Sequence, residues 1–522
     1  MKTQLLSKIL FYALFLFVAE STFSQPSLLK DIYIGTESSV DYPSFLKIGD
    51  KLIFTANDGT HGSEGWLTDG TNAGTIRIEE NTEPLNDTIY TVGYGNGLFK
   101  TNGTKVEYVF ANLGFTRVNQ VTKVNDTWFF VANIDSANME ELWKSDGTEA
   151  GTVVVKKLRP NSYYSAYTSH LIPTPDGTGL FFTADDGSGI ALWKSDGTTA
   201  GTIKVKTFTN TKQHEIGSLV NYNNQTFFWA LNPSGYHSLW KTDGTTAGTV
   251  VVYNKVSCRL SAGNVIVYKN KIYFSGQSQE PPYTYGEELW VSDGTAAGTQ
   301  MFFDINPGAS HGVPTSLQII NNQLIFLART DLNGQELWVT NGSTNGTFML
   351  KDVYPGADAG FLIGSPIKEL NKMFFTGNDG NQRMLWETDG TVSGTIPLYD
   401  ISESNLLMYS TAGYINNKLV FIKETIAYGK EVWSAETTLA IDEAKNTKIV
   451  NIFPNPVSNN LTIENPFSGS LQLKVFNQLG QIVLKQKTSS TLLDVSKLSK
   501  GIYFLNINSE DGNTQTIKFI KN

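Results

Sequence analysis

"EELWVSDGTAAGT", residues 287–299, decides the fold because the chain repeats it. "EGWLTDGTNAGT" begins at 64, "ELWKSDGTEAGT" at 141, "ALWKSDGTTAGT" at 191 and "SLWKTDGTTAGT" at 238. "ELWVTNGSTNGT" follows at 336 and "MLWETDGTVSGT" at 384. The motif tryptophans are Trp66, Trp143, Trp193, Trp240, Trp290, Trp338, Trp386 and Trp433, and from Trp143 onward they recur every 47 to 50 residues. A worn copy, "GLFKTNGT" (97–104), has Phe99 in the Trp place. A fixed period of this length is the mark of a repeat architecture.

Each module reads as four short strands. In the Trp338 module these are "PTSLQIINN", "QLIFLAR", "ELWVTNG" and "TFMLKDVY". Alternating apolar and aromatic residues mark each run, and Asn, Asp and Gly separate them. Four antiparallel strands per repeat is a β-propeller blade. The Trp is expected on the third strand, buried against the next blade, where removing it would cost ~3–5 kcal/mol. Asp-Gly-Thr turns the chain, with Asp bonding its own backbone, and both glycines are expected to adopt positive φ.

The two ends of the repeat indicate closure. The last module stops at "GKEVWSAETT" (429–438) without a fourth strand. Near the start, "LLKDIYIGTESS" matches "MLKDVYPGADAG" (349–360), aligning Leu29, Lys30, Asp31, Tyr33 and Gly35 with Leu350, Lys351, Asp352, Tyr354 and Gly356. The expected fold is all-β: an eight- or nine-bladed β-propeller closed by the N-terminal strand, followed by a small Ig-like β-sandwich. The Phe99 module leaves the blade number open.

Residues 1–24 read as a signal peptide: Lys2 and Lys8, then the apolar "ILFYALFLFVA" (9–19), then small polar residues to Ser24. That apolar run is too short to span a bilayer, and the mature chain is expected to have no membrane span. The net charge of −9 and the lack of a basic run argue against nucleic acid. Cys258 is the one cysteine and reads as a buried small residue. The domains are expected at 25–437 for the repeats, 438–448 for a linker and 449–522 for a second domain.

The motif resembles the ELWxxDGTxxGT repeat family of secreted and surface bacterial proteins, which implies a propeller-like scaffold and no single activity. The tail resembles the C-terminal sorting domain of the type IX secretion system. The resemblance rests on "FPNP" (453–456), "VFNQLGQIV" (475–483), "LSKGIYFLNI" (498–507) and "IKFIK" (517–521). It implies export across both membranes, with the type IX machinery as partner, and places the sorting signal on Pro454, Asn455, Pro456, Gly501, Tyr503, Lys518 and Lys521.

In a propeller the turns between strands one and two and between three and four share one face. Every DGT joint therefore lies on a regular face, and module-specific loops lie on the other, where specificity would reside. Tyr163, Tyr164, Tyr167, Tyr236, Tyr283 and Tyr285 on those loops are candidate ligand platforms, with packing as the alternative. The five histidines (His61, His170, His214, His237, His311) have no metal spacing, and no nucleophile elbow or Walker sequence occurs. Asp58, Asp185, Asp186, Asp331 and Asp379 could supply paired carboxylates for glycoside cleavage, but their "NDG" and "DDG" contexts are turn chemistry. The expected function is non-catalytic binding of a polysaccharide or envelope protein, without cofactor or metal. A glycan-active enzyme and a calcium-stabilised adhesin are the alternatives.

Overall fold

The computed structural model describes residues 26–40, 45–78, 89–91, 98–101, 106–108, 115, 117–133, 140–159, 165–208, 216–232, 237–258, 265–279, 285–357, 361–367, 370–401, 412–436, 451–464, 470–477, 481–488, 490–509 and 514–522. The signal-peptide reading of 1–24 and the linker 438–448 fall outside these residues. The chain divides into two compact units, 1–437 and 438–522.

Among the described residues the first unit holds nine antiparallel sheets, seven of them four-stranded. The Trp338 module shows the plan: Thr315–Ile320, Gln323–Thr330, Gly334–Thr340 and Thr347–Lys351 pair in sequence order. This is the strand order of a propeller blade, with Trp338 on the third strand. The Phe99 module contributes a three-stranded sheet of Ile89–Thr91, Leu98–Thr101 and Val106–Tyr108. Strands one and two join through paired left-handed residues: Asn223 and Asn224 (φ 48° and 58°), Asn321 and Asn322 (46° and 58°), Asn416 and Asn417 (47° and 62°). Two successive positive φ values make the type I′ turn whose twist suits a hairpin, and Asn tolerates that region better than other side chains.

The joint between strands three and four is a hydrogen-bonded cage built the same way in module after module. In the Trp193 module, Asp196 Oδ1 accepts the Thr198 N–H and hydroxyl, both at 2.8 Å. The Gly201 N–H donates to Thr198 Oγ1, and the Thr202 hydroxyl donates to the Thr198 carbonyl at 2.6 Å. Beneath them the buried hydroxyls of Ser195 and Thr202 meet at 2.8 Å. Gly197 has φ +87°, as the turn requires. The second glycine corrects the expectation of a second positive φ. Gly201 is not among the left-handed residues; it is glycine because a Cβ there would overlap the Asp196 carboxylate.

The motif tryptophans stitch neighbouring modules, but toward the preceding module rather than the next. Trp193 packs with Val124, Phe129, Leu142 and Val155 of the Trp143 module, and Trp240 with Phe181, Leu192 and Val205 of the Trp193 module. Trp386 likewise packs on Ile325, Leu337 and Leu350 of the Trp338 module. Lysines on the preceding fourth strand cover these rings: Lys156 sits 5.9 Å from the Trp193 ring centroid and Lys206 5.0 Å from that of Trp240. Lys156 Nζ also donates to the Thr202 carbonyl at 2.7 Å, and Lys206 Nζ to Thr249 at 3.0 Å. At Trp193 and Trp240 the link therefore joins ring burial, a cation over the ring face and a charge-assisted hydrogen bond. At Trp290 and Trp338, Tyr253 and Phe303 take the place of the lysine.

At the ends the same link recurs between the first and last modules. Ser27–Lys30 pairs antiparallel with Gly429–Glu436, with Leu28 opposite Trp433, and becomes the missing fourth strand. Trp66 packs with Leu29, Val420, Ile422 and Val432, while Lys30 covers its ring at 5.9 Å and donates to the Thr75 carbonyl at 2.6 Å. Asn72 Nδ2 donates to the Leu29 carbonyl as the Thr199 hydroxyl does to Val155. Leu29 and Lys30 thus occupy the roles of Val155 and Lys156. Cys258 is buried in the core between the Trp240 and Trp290 modules, and burial pushes its thiol pKa up.

The second unit is a two-sheet structure. Asn451–Phe453, Asn460–Glu464 and Leu492–Asp494 form one sheet; Leu471–Asn477, Ile482–Thr488, Gly501–Ser509 and Thr514–Lys521 form the other. Val457, Leu461, Ile463, Leu473, Val475, Leu505 and Ile507 fill its core, each at most 1% exposed.

Candidate functional site

The face opposite the DGT joints is built from strand-two-to-three turns and from loops leaving strand four. A recurrent clamp sets those loops. The Glu two residues before Trp is fully buried at 288, 336 and 431 and accepts backbone N–H groups from the loop after strand four. Glu431 takes Ile32 and Tyr33, both at 3.1 Å, and the Ser39 hydroxyl at 2.7 Å. Glu336 takes Val353 at 3.0 Å and Tyr354 at 3.2 Å. Glu288 takes Ile305 at 2.7 Å and Gly312 at 2.9 Å. Burial raises the Glu288 carboxyl to about 7, against the pull of those N–H donors, and raises Glu431 as well.

The clamped loop reaches the next module. A Cβ at Gly59 would stand 2.7 Å from the Tyr33 ring, and one at Gly380 3.2 Å from that of Tyr354. Each Tyr therefore covers the glycine of an Asn-Asp-Gly turn on the following module. Elsewhere polar pairs make the same bridge: Arg159 to Asp185 at 2.5 Å, and Ser310 and Asn306 to Asp331 at 2.7 and 3.2 Å. Sequence reading missed this device. Its signal was present in part: Glu recurs two residues before Trp at 64, 141, 288, 336 and 431, whereas Ala191, Ser238 and Met384 stand at that position elsewhere.

The five candidate acids are absorbed by this architecture. Asp58 accepts the N–H groups of Thr60 and His61 and pairs with His61 Nδ1 at 2.8 Å. The His61 N–H, then its ring, hold the Asp58 carboxyl well below its usual range. Asp379 is lowered by the Gln382 and Asn381 N–H groups, and Asp331 by Ser310 and Asn306. At Asp186 burial pushes upward, but Lys204 and Ser188 outweigh it and the pKa falls. Asp185 accepts the N–H groups of Gly187 and Gly189 besides Arg159. A glycosidase proton donor needs a raised pKa, whereas Asp58, Asp186, Asp331 and Asp379 are all lowered. Among the described residues no three His, Cys, Asp or Glu side chains gather as a metal site.

Of the candidate tyrosines, Tyr163, Tyr164, Tyr236 and Tyr283 lie outside the described residues, as does His214. Tyr167 holds φ +49° in the loop entering the Trp193 module, with its N–H on Ser165 Oγ. Tyr285, on the Trp290 module, is 43% exposed. More exposed groups on this face, which no sequence pattern singles out, are Ile34, Leu332 and Ile426, at 85, 81 and 86%. Each sits in a turn or a loop after strand four, where an apolar residue serves no turn chemistry.

In the second unit the residues expected to carry the sorting signal lie along neighbouring strands. Asn455 Nδ2 donates to the Lys518 carbonyl at 3.0 Å, and its Oδ1 accepts the Ile520 N–H at 2.9 Å. The Val457 N–H donates to the Ile520 carbonyl at 2.8 Å, beside a parallel bridge from Val457 to Lys521. Pro454 and Pro456, both after cis peptides, flank Asn455. The Tyr503 ring stacks on Phe519 at 5.6 Å, and its hydroxyl donates to the Ser499 carbonyl. Gly501 pairs with Lys521 at the strand start. "FPNP" thus borders the closing "IKFIK" strand.

Residues 451–522 match the family described as Secretion system C-terminal sorting domain. Among curated proteins, Ulvan lyase NLR42 of Nonlabens ulvanivorans is 25% identical over 93 residues, which is 17% of this chain and 17% of that protein. The chain therefore matches less than a fifth of that relative's length. Among solved structures, PorZ of Porphyromonas gingivalis, a surface component of the type-IX secretion system, aligns with 92% of this chain and 69% of its own at 11% identity and a TM-score of 0.34. Prolyl oligopeptidase B from Galerina marginata aligns with 74% of this chain and 54% of its own at 10% identity and a TM-score of 0.41. The sorting-domain match places the protein among those exported to the cell surface or medium by the type IX system and makes that machinery a partner.

Proposed function

We propose that the first unit is a closed propeller that binds a polysaccharide or protein of the cell envelope through its variable face, without catalysis. The single observation carrying this reading is that Ile34, Leu332 and Ile426 project into solvent from that face, beside turn acids Asp58, Asp331 and Asp379 whose pKa values are lowered by their hydrogen bonds. A face with exposed apolar tips and turn acids held in the charged form has the character of a recognition surface. Closure is supported by Trp66, whose packing on Leu29 and Val432 repeats the link between adjacent modules. The ring would hold eight Trp-bearing blades, with the three-stranded Phe99 sheet as a reduced ninth.

Two experiments test this reading. A Ser27→Cys/Ser434→Cys variant should form a disulfide, because those residues are paired across the leading and final strands. Failure to cross-link would remove the closed ring. The exported protein should bind one class on a panel of glycans, ulvan among them, and envelope proteins. An Ile34→Ser/Leu332→Ser/Ile426→Ser variant should lose that binding at unchanged melting temperature. Release of shortened sugar by the wild type would replace binding with catalysis.

A further inference from the structure

The four-stranded sheet of the sorting domain has one face on the core and a second whose chemistry is unlike the rest of the chain. On that second face Phe476 stands opposite both Ile482 and Phe504, and Ile502 stands opposite Ile520. Ile482, Phe504 and Ile520 are 53, 38 and 39% exposed, so an apolar strip crosses all four strands at one end of the sheet. Beside it lie Lys474 opposite Lys485, and Lys518 opposite Phe504. None of the four strands carries an Asp or Glu. Residues 451–522 hold seven lysines against four acids, in a chain whose net charge is −9. The two long edges of the sheet also differ. The Asn455 side chain and Val457 bond the last strand at one edge, whereas among the described residues Ile482–Thr488 pairs on one side only.

We propose that this strip and its lysines are the surface by which the secretion machinery holds the domain, and that the machinery presents there an apolar groove edged by carboxylates. The proposal rests on the sorting role of the tail and adds to it a face and a partner chemistry. An exposed apolar strip of this extent gains from burial only against a matching apolar surface. Lysines on strands that carry no acid steer an acidic partner and suppress a basic one. A protein fits better than lipid, because the apolar groups are fixed on the strands of a hydrogen-bonded sheet. Membrane insertion uses groups on an amphipathic helix that can sink below the headgroups.

The test uses the full chain in a host with type IX machinery and compares protein outside the cell with protein retained. Phe504→Ser/Ile520→Ser and, separately, Lys474→Glu/Lys485→Glu should each reduce export about tenfold, the scale of losing a central interface contact. The charge-reversal pair leaves the core untouched, so it reports on recognition even if the apolar pair lowers the melting temperature. Leu492→Ser, on the other sheet and 51% exposed, should export normally. Normal export of both face variants overturns the proposal, as does equal loss in Leu492→Ser. A chain ended at Thr437 separates the two readings: its retention with normal export of the face variants rejects only the face, whereas its own export rejects the sorting role. Binding of wild type to phosphatidylglycerol vesicles, lost in the lysine variant while export persists, would assign the face to lipid and overturn the protein partner.

Discussion

The two faces of the first unit are made from the same blades and obey different rules. On the joint face, Thr68 and Thr75, Ser145 and Thr152, Ser195 and Thr202, Thr242 and Thr249, and Thr388 and Thr395 make one hydroxyl pair at 2.8 Å five times over. On the opposite face a different need, holding a loop to the next module, is met by a Tyr ring at Gly59, a guanidinium at Asp185 and a hydroxyl at Asp331. The joint is a local problem within about eight residues, so one solution can be copied. The opposite face joins segments tens of residues apart, so beyond the shared Glu clamp the contact to the next module varies from one interface to another.

The largest expected effects lie on the joints. Trp240→Ala should destabilise by ~3–5 kcal/mol, more than any change on the variable face, read as a shift in denaturation midpoint; a shift under ~1 kcal/mol would show that the ring is not a packing element. Gly201→Ala should follow at ~1–3 kcal/mol, because the new Cβ must displace the Asp196 carboxylate. Gly197→Ala tests the other cause, positive φ, and should be rescued by Asn where Gly201 is not.

A smaller effect separates the two faces by pH. Burial raises Glu288 above its ordinary 4.5 to about 7, so the folded chain holds a proton that the unfolded chain releases. Its contribution to stability is full below about pH 4.5 and is lost as pH rises through about 7. Relative to Glu288→Gln, which does not titrate there, the wild type should gain melting temperature as pH falls through that window; the opposite slope would mean that the N–H donors dominate. On the joint face the sign reverses. The Thr198 N–H, then its hydroxyl, hold Asp196 below its ordinary pKa, so its contribution is present above about pH 4 and fades in stronger acid. The smallest effect should be Tyr285→Ala, within ~0.5 kcal/mol in stability, with any change confined to ligand binding.

Legibility follows the same division. The match of Leu29 and Lys30 to Leu350 and Lys351 pointed to the strand at Gly429–Glu436, because equivalent strands meet equivalent surroundings and must share residues. The direction of the tryptophans was not legible, since a period of 48 residues is the same whichever neighbour a ring faces. The second glycine was assigned to turns for want of the Asp196 carboxylate above it. Of the six candidate tyrosines, Tyr285 is placed with an exposed ring, whereas the exposed Ile34, Leu332 and Ile426 carry no motif to announce them. In the tail the sorting motifs stand out as separate stretches, and only folding sets Asn455 against Lys518 and Ile520.

The sequence by itself determined the module, its four strands, the partner of the first strand and the sorting tail, because strand alternation, turn residues and repetition are local properties of the chain. Tertiary structure decided which neighbour each Trp faces, why Gly201 cannot carry a side chain, and how Glu288, Glu336 and Glu431 hold loops against the next module. Those outcomes depend on which distant atoms share a volume, and excluded volume and buried hydrogen bonding act only once the sheets are stacked.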